Sequence, residues 1–269
     1  MTHSPPSDAL MPRLSIVVPV FRNVETLEEL HRRLDAALKP LETSWEAVYV
    51  DDACPAGSLS VLEKLAALDP RVAVLSLERN AGQNWAVLIG LSHARGQIAV
   101  IMDADLQDPP EAIPLLLAGL GPDCAAVFAG RRGAYEPTLR LATSRVFKYL
   151  LHLLTGLPAD AGIFVAMDRR MVSALLRMRE RQPFVVAMMG CTGLPVRSIP
   201  VTRLQRPRGI SAYSAWMRLR TGWQAVALVL SHKLGLQGGF GSAVRWPVVQ
   251  RYIGSRFCPR GEQSRYAHR

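Results

Sequence analysis

The stretch LSIVVPVFRNVETLEELHRRLDAAL, residues 14–38, contains both kinds of element from which we expect the fold to be built. Its first part, Leu14–Val20, is a short run dominated by β-branched and other apolar residues, which predicts a strand buried on both faces. Its second part, Val24–Leu38, has apolar residues at helical spacing, which predicts an amphipathic helix. A strand followed directly by a helix is the repeating unit of parallel α/β sheets.

The same alternation of strand and helix continues to about residue 130. The further predicted strands are Trp45–Val50, Val72–Leu77, Gln97–Met102 and Ala125–Ala129, and the further predicted helices are Ser58–Leu68, Trp85–Ala94 and Glu111–Leu120. This order predicts an α/β fold with a mostly parallel central sheet and helices on both faces. Ligands of such sheets bind beyond the carboxyl ends of the strands.

The pattern changes after residue 137. The sequence there predicts a long helix at Thr138–Leu154, strands at Ile163–Met167 and Val196–Val201, a helix near Arg169–Met178 and an amphipathic helix at Ser211–Leu234. We therefore divide the chain into four parts: a disordered N-terminus (1–12), a globular domain (13–210), an amphipathic helix (211–234) and a basic, weakly ordered tail (235–269).

Positive charge is concentrated in the last quarter of the chain. The whole sequence has 32 Lys+Arg and 22 Asp+Glu, a formal net charge of +10. Glu262 is the one acidic residue after position 200, among 12 Lys+Arg. Such a segment suggests an anionic partner, either nucleic acid, a membrane or a phosphate group. An Arg-rich composition of the source genome is an alternative explanation.

Several classes of protein are not supported by the sequence. Four cysteines lie far apart without a C-x-x-C pair, which argues against a zinc site or a disulfide framework. The polar N-terminus does not resemble a secretory signal, and no stretch has the length and apolarity of a transmembrane helix. We therefore expect a cytoplasmic protein. Dinucleotide, P-loop and serine-hydrolase motifs are also missing.

The motif Asp103-Ala104-Asp105 follows an apolar strand and is the strongest chemical signal. Residues i and i+2 of a strand point to the same side, and two such carboxylates repel unless a cation lies between them. Hard divalent cations prefer oxygen ligands, so the motif predicts a metal site. The alternative is a pair of solvated turn residues before Asp108-Pro109.

Two further strand ends carry polar residues. Asp51-Asp52 closes the second strand, where the carboxylates would either accept hydrogen bonds from a base or ribose, or cap the next helix. Asn80–Asn84 opens the helix after the third strand with small residues, which allow a backbone to approach a phosphate. At this point both interpretations of Asp51 and Asp52 remain open.

Taken together, the motifs resemble family-2 glycosyltransferases. They are IVVPVF (16–21), Asp51-Asp52, LERNAGQNWA (77–86), VIMDADLQDPPE (100–111), GRR (130–132), RLATSRVF (140–147), DAGIF (160–164), MDRR (167–170) and RGISAY (208–213). The resemblance is to the branch of dolichyl-phosphate mannosyltransferase and bacterial polyprenyl-phosphate glycosyltransferases. It implies the GT-A nucleotide-sugar fold. The first loop departs from the usual P-x-Y-N-E, because its acidic residue comes only at Glu25.

The resemblance implies a role for each matching residue. The expected nucleotide-sugar contacts are Pro19, Val20 and Glu25 at the base, Asp51 and Asp52 at the base or ribose, and Asp103. Mg²⁺ or Mn²⁺ would be ligated by Asp105 and Gln107, with Asp103 beside them. The acceptor phosphate would be met by Arg131, Arg140, Ser144, Arg206, Arg208 and Ser211. Asp160 matches a carboxylate near the reaction centre, so Asp105, Asp160 and Arg131 are the expected catalytic residues.

The implied reaction is inverting transfer of a sugar from a nucleoside diphosphate to a polyprenyl phosphate, for cell-surface glycan or glycolipid synthesis. A sugar hydroxyl as acceptor is the alternative within enzymes, and a non-catalytic basic protein that binds membrane or nucleic acid is the alternative outside them. The helix 211–234 suits the interface of an anionic leaflet, which implies a peripheral protein on the inner face of the membrane. A membrane-embedded partner subunit or a homo-oligomer is also conceivable.

Overall fold

The computed structural model describes residues 11–132, 149–178, 180–204, 215–235 and 244–255. The strands are β1 (Leu14–Val20), β2 (Trp45–Asp51), β3 (Val72–Leu77), β4 (Ile98–Ile101), β5 (Ala126–Arg132), β6 (Val165–Asp168), β7 (Val196–Thr202) and β8 (Val249–Ile253). The α-helices are α1 (Leu27–Leu38), α2 (Ser58–Leu68), α3 (Gln83–His93), α4 (Ile113–Ala118), α5 (Arg169–Arg177), α6 (Val185–Cys191) and α7 (Ala215–Lys233). Residues 149–155 are also helical, and short 3₁₀ turns occupy Val24–Thr26, Lys39–Leu41 and Pro110–Ala112.

The chain forms two compact units, one of residues 1–104 with 247–269 and the other of residues 105–246. In the first unit the strand order is β4-β1-β2-β3-β8. The first four of these strands run parallel to one another, with Leu14 of β1 opposite Trp45 and Ile98. Every residue of β1, β2 and β3 is buried, as the continuous apolar runs predict.

Helices complete the core of the first unit. The predicted apolar face of α1 is buried through Leu27, Leu30, Leu34 and Leu38. Helix α3 packs on β1 and β2, and a Cβ atom added at Gly90 would overlap Val17. Because residue 90 is a glycine, α3 can pack closely on the sheet. This close packing sets the distance between the N-terminus of α3 and the ends of the strands.

In the second unit, β5 is paired with β7 in parallel and with β6 in antiparallel orientation. Helix α4 packs on β5 and β6, while α6 contacts both α5 and α7. The predicted strands at 163–167 and 196–201 are present within two residues of their expected bounds. Of the predicted helix Thr138–Leu154, residues 149–154 are described and are helical.

The tail 235–269 contains a strand that the sequence analysis did not predict. Strand β8 pairs antiparallel with β3, and the next residues reach the core, where Ser255 is buried. Its hydroxyl donates a hydrogen bond of 2.9 Å to the carboxylate of Glu46. That carboxylate, which is 1% exposed, also accepts hydrogen bonds from the Ser15 hydroxyl and the Arg95 backbone N–H. At residues 249–255, the expectation of a weakly ordered tail is therefore corrected.

We predict that Ser255→Ala lowers the free energy of unfolding by about 1.5–3 kcal/mol, because a buried carboxylate loses one of its donors. Urea unfolding of the full chain measures this change. Ser60→Ala is the matched control, since its exposed hydroxyl bonds only the nearby Gly57 carbonyl, and it should change the value by no more than about 0.5 kcal/mol. Equal effects of the two variants would show that β8 is not anchored through Glu46.

Candidate active site

The predicted donor-side residues of the first unit lie at or just after the carboxyl ends of β1 and β2. Pro19 and Val20 close β1 and are buried, and Val20 stands opposite Asp51 in the parallel register. Glu25 lies in the 3₁₀ turn after β1 and is exposed. Since Pro19 and Val20 are covered by their neighbours, their contribution is to shape the strand end rather than to offer polar contacts.

Asp51 is only 3% exposed and its carboxylate lies between two hydroxyl donors. Ser58, the first residue of α2, donates to one oxygen, and Ser76 of β3 donates to the other at 3.1 Å. The carboxylate thus joins β2 to the next helix and to the next strand. Of the two interpretations left open by the sequence, these contacts favour a structural role for Asp51.

Asp52 holds the loop that leads into α3. Its two carboxylate oxygens accept hydrogen bonds from the backbone N–H groups of Ala81 (2.7 Å) and Gly82 (2.9 Å). Gly82 has a φ of +90°, a conformation that favours glycine. Burial raises the pKa of Asp52, an effect partly offset by these two N–H groups and reinforced by the neighbouring charge of Asp51.

This loop connects Asp52 to the first carboxylate of the D-x-D motif. Gly82 is followed by Gln83, the first residue of α3, whose side-chain amide donates a hydrogen bond to Asp103. The backbone conformation set by Asp52 therefore also places the group that orients Asp103. Sequence reasoning noted the small residues at 80–84 but did not single out Gln83, although a polar amide at a helix start was a usable signal.

The loops after β1 and β2 share a second feature. Arg22 and Ala53 have φ values of +61° and +49°, which are unfavourable for residues with a side chain. The backbone N–H of Arg22 donates to the Cys54 thiol at 3.1 Å and so links the two loops. Burial raises the pKa of Cys54, but hydrogen bonds from Ser58, Arg22 and Ala56 outweigh it and lower the pKa overall.

In the second unit, Asp105–Asp108 form a tightly held loop. The Asp105 carboxylate is 6% exposed and accepts a hydrogen bond of 3.1 Å from the backbone N–H of Gln107. Between them, Leu106 has a φ of +60°. Strained backbone of this kind is concentrated at functional sites. The turn separates Asp105 and Gln107 by one residue and keeps both of their oxygen-bearing side chains at the same short loop.

A buried ion pair holds the far end of this loop. The Arg203 guanidinium lies 3.1 Å from the Asp108 carboxylate, and the two side chains are 11% and 5% exposed. The backbone N–H of Leu204 also donates to the Gln107 carbonyl at 2.9 Å. The segment just after β7 therefore fixes the backbone of Gln107, a contact that the sequence analysis did not predict.

Carboxylate and amide oxygens at Asp105 and Gln107 are of the type that Mg²⁺ and Mn²⁺ prefer. Within the described ranges, no three His, Cys, Asp or Glu side chains converge on one point. A cation held here would therefore depend on oxygen atoms of the substrate to complete its coordination, as Mg²⁺ commonly does with phosphates.

Asp160 lies against the backbone of β5. A Cβ atom added at Gly130 would overlap both the Asp160 carboxylate and the Ser198 hydroxyl, so the carboxylate approaches the strand where a side chain is missing. Asp160 is half-buried. The Ser198 hydroxyl is buried and has no hydrogen-bond partner among the described residues. Gly130 directly precedes Arg131, and its importance was not apparent from the GRR motif.

The structure thus brings some of the predicted site residues together, while others lie outside the residues that it describes. Pro19, Val20, Asp51 and Asp52 meet at neighbouring strand ends of the first unit. Arg131 lies in β5, opposite Val201 of β7, in the second unit. Arg140, Ser144, Arg206, Arg208 and Ser211 lie outside the described residues.

Comparison with known proteins agrees with the sequence motifs. The family model described as Glycosyl transferase family 2 matches residues 15–175. Undecaprenyl-phosphate 4-deoxy-4-formamido-L-arabinose transferases from Salmonella paratyphi A and Salmonella dublin are 29% identical over 261 residues, covering 93% of this chain and 80% of each relative.

Solved glycosyltransferases share the fold. Glucosyl-3-phosphoglycerate synthase from Mycobacterium tuberculosis, solved with Mn²⁺, UDP and phosphoglyceric acid, gives a TM-score of 0.60 at 18% identity, covering 91% of this chain and 90% of that chain. A mannosyltransferase from Pyrobaculum calidifontis, solved with GDP-Man and Mn²⁺, gives 0.53 at 20% identity, covering 87% and 66%. The predicted α/β fold of GT-A type is confirmed. Because the family model spans more than half of the chain, this protein belongs to glycosyl transferase family 2.

Proposed function

We propose that this glycosyltransferase moves a sugar from a nucleoside-diphosphate sugar to a polyprenyl phosphate. The observation that carries the proposal is the fixed loop Asp105–Asp108, with its two oxygen-bearing side chains and its buried anchor to Arg203. The identity to undecaprenyl-phosphate sugar transferases over nearly the whole chain supports a lipid phosphate as the acceptor class. The expected product is a glycolipid used in cell-surface glycan synthesis.

Asp105 and Gln107 are proposed to hold Mg²⁺ or Mn²⁺, and their hard oxygen atoms fit either ion. Such a cation would supply charge neutralisation to the leaving diphosphate of the donor. The chain's own contribution is preorganisation. Because Leu106, Asp108 and Arg203 fix the loop, its ligating atoms need little rearrangement when the donor arrives.

The donor is proposed to lie at the strand ends of β1 and β2. Asp103, oriented by Gln83, would contact the nucleotide. Asp52 would border the base or ribose while it keeps Ala81 and Gly82 in place. Asp51, whose carboxylate accepts hydrogen bonds from two serines, would hold the end of β2 in place. Pro19, Val20 and Glu25 would lie beside the nucleotide base.

The acceptor phosphate would be bound by Arg131, with Arg140, Ser144, Arg206, Arg208 and Ser211 as further predicted contacts. A phosphomonoester is already anionic near neutral pH, since its second pKa is about 6. A strong general base is therefore unnecessary, and Asp160 would orient the acceptor rather than deprotonate it. A single displacement at the anomeric carbon would invert its configuration.

A hydroxyl acceptor is the second candidate, favoured by one observation. Asp160 is a half-buried carboxylate packed on β5, and a hydroxyl nucleophile would need a base of this kind. The family assignment favours either enzyme over a non-catalytic basic protein. Radiolabelled nucleotide sugars offered with polyprenyl phosphate distinguish the two acceptors. Label in the organic phase supports the lipid phosphate, and label only in a water-soluble glycan supports the hydroxyl.

A lipid acceptor has a consequence for location. We propose that the protein works in the cytoplasm at the inner face of the membrane, alone, as a homo-oligomer or with a membrane-embedded subunit. Among the helices described, none combines the length and hydropathy needed to cross a bilayer.

We predict that Asp105→Ala lowers kcat by about 10²-fold or more, because the negative charge that develops on the leaving diphosphate is no longer stabilised. Mn²⁺ with the nucleotide donor should raise the melting temperature of the wild type and fail to do so for this variant. Asp123→Ala is the control, as Asp123 is an exposed carboxylate of the same unit. Full activity of Asp105→Ala would contradict the proposed metal site.

We predict that Gly130→Ala lowers kcat by roughly 10–10²-fold. The added methyl group would overlap the Asp160 carboxylate, so that carboxylate would have to move from its position. The KM for the donor should stay unchanged. Gly121→Ala is the control, since its added Cβ meets no atom within 4 Å. Combining Gly130→Ala with Asp160→Ala should cause little further loss. An additive loss would show that Gly130 acts through something other than Asp160.

A further inference from the structure

The D-x-D motif begins just beyond the backbone ladder that joins β1 to β4. The register of the two strands ends at Val17 and Ile101, and the Met102 N–H donates to the Val17 carbonyl at 3.2 Å. Asp103 and Ala104 follow this ladder, and Ala104 is only 2% exposed. Buried backbone groups are almost always hydrogen-bonded. The backbone of the motif therefore needs partners from outside the sheet.

Thr26 supplies one of these partners. Its hydroxyl oxygen lies 2.5 Å from the Ala104 carbonyl oxygen and 2.9 Å from the Asn23 carbonyl oxygen. A hydroxyl has one proton to donate, and the Asn23 carbonyl already accepts a hydrogen bond from the Thr26 backbone N–H at 3.1 Å. The shorter contact, to Ala104, therefore takes the hydroxyl proton. It joins two residues that are 78 positions apart in the sequence.

Helix capping does not account for this hydroxyl. Thr26 is the N-cap residue of α1, a position where a threonine hydroxyl ordinarily accepts a hydrogen bond from an N–H group of the first helical turn. The Thr26 side chain forms no such cap hydrogen bond. The hydroxyl donates to the D-x-D motif instead, which points to a role at the motif rather than in the helix.

We propose that Thr26 is a positioning residue for the D-x-D motif. This inference rests on the proposed function, which assigns the motif to the donor and its cation. The Ala104 carbonyl belongs to the planar peptide group that continues into Asp105, so fixing its oxygen fixes the direction in which the chain enters that proposed metal ligand. Gln83 meanwhile holds the Asp103 side chain. One contact thus positions the backbone of the motif and the other positions a side chain.

The same hydrogen bond connects the motif to the turn after β1. Thr26 ends the 3₁₀ turn that also contains Glu25, the residue expected beside the nucleotide base. A single hydroxyl therefore holds the base-side turn and the motif together. Its removal should loosen the motif while β1, β4 and α1 keep their own hydrogen bonds.

Amide hydrogen exchange of the full chain without ligand is the first test. Thr26→Val removes the hydroxyl at nearly unchanged size, and exchange of residues 102–106 should become about three- to tenfold faster, the factor expected for one hydrogen bond. Thr26→Ser keeps the hydroxyl and should exchange like the wild type. Thr192→Val is the matched control. Thr192 is also half-buried and donates to a backbone carbonyl, that of Met189 at 2.7 Å, but it lies in the other unit.

Metal affinity is the second test and separates positioning from a purely structural role. Mn²⁺ is titrated by electron paramagnetic resonance in the presence of UDP or GDP, whichever raises the melting temperature of the wild type more. Thr26→Val should weaken Mn²⁺ binding and lower kcat, each by about three- to tenfold, with an unchanged KM for polyprenyl phosphate. Thr26→Ser should restore both values. A residue with a purely structural role would lower the melting temperature and leave Mn²⁺ affinity unchanged.

Three outcomes would overturn the positioning role. They are unchanged exchange in Thr26→Val, faster exchange with the Mn²⁺ affinity of the wild type, and an equal loss in Thr26→Ser or Thr192→Val. Failure of the proposed function gives a different result. The wild type would then neither bind Mn²⁺ with a nucleotide nor transfer sugar, although exchange at 102–106 would still respond to Thr26→Val. That result would overturn the assignment of the motif and the positioning role with it.

Discussion

The two hydrogen bonds that Asp52 accepts from Ala81 and Gly82 organise the loops at which we propose that the donor binds. Strands β1, β2 and β3 are buried along their whole length, so polar groups that are to meet a ligand must lie in the loops at their ends. A loop held only by its own backbone would move. By fixing Gly82, Asp52 also fixes Gln83 and through it Asp103, so a buried carboxylate positions one that is half-buried.

In the second unit, a buried ion pair holds the loop Asp105–Asp108 in position. The Asp108 carboxylate and the Arg203 guanidinium are both buried, and removing one charge from such a pair costs more than the pair contributes. The pair therefore contributes more to the position of the loop than to the stability of the protein. Arg203 directly follows β7, and the chain continues from it to the predicted acceptor contacts Arg206, Arg208 and Ser211. The loop proposed to hold the metal therefore contacts the start of the segment that is proposed to bind the acceptor.

The sequence predicted what depends on local periodicity and missed what depends on distant partners. Continuous apolar runs identified β1 to β3, and helical spacing identified the buried face of α1. Strand β8 was missed because its Gly- and Arg-rich surroundings suggest disorder, and its place depends on pairing with β3 and on Glu46, more than 200 positions earlier. Gly130 was missed for a similar reason, since the need for glycine there arises from Asp160 and Ser198, which come from other parts of the chain.

The uneven charge of the chain gains a physical explanation from these contacts. Acidic residues in the loops proposed to bind the donor and the metal accept hydrogen bonds from, or pair with, hydroxyl, amide or guanidinium groups, which hold their carboxylates in place. The basic residues concentrate after position 200, where the sequence predicts acceptor binding and where Trp223 and Leu230 of α7 are exposed. The proposed reaction, from a metal-bound donor to an anionic lipid phosphate, would need both kinds of surface. The buried pair of Arg203 and Asp108 shows that the fold also brings a basic group from after position 200 into contact with the loop proposed to hold the metal.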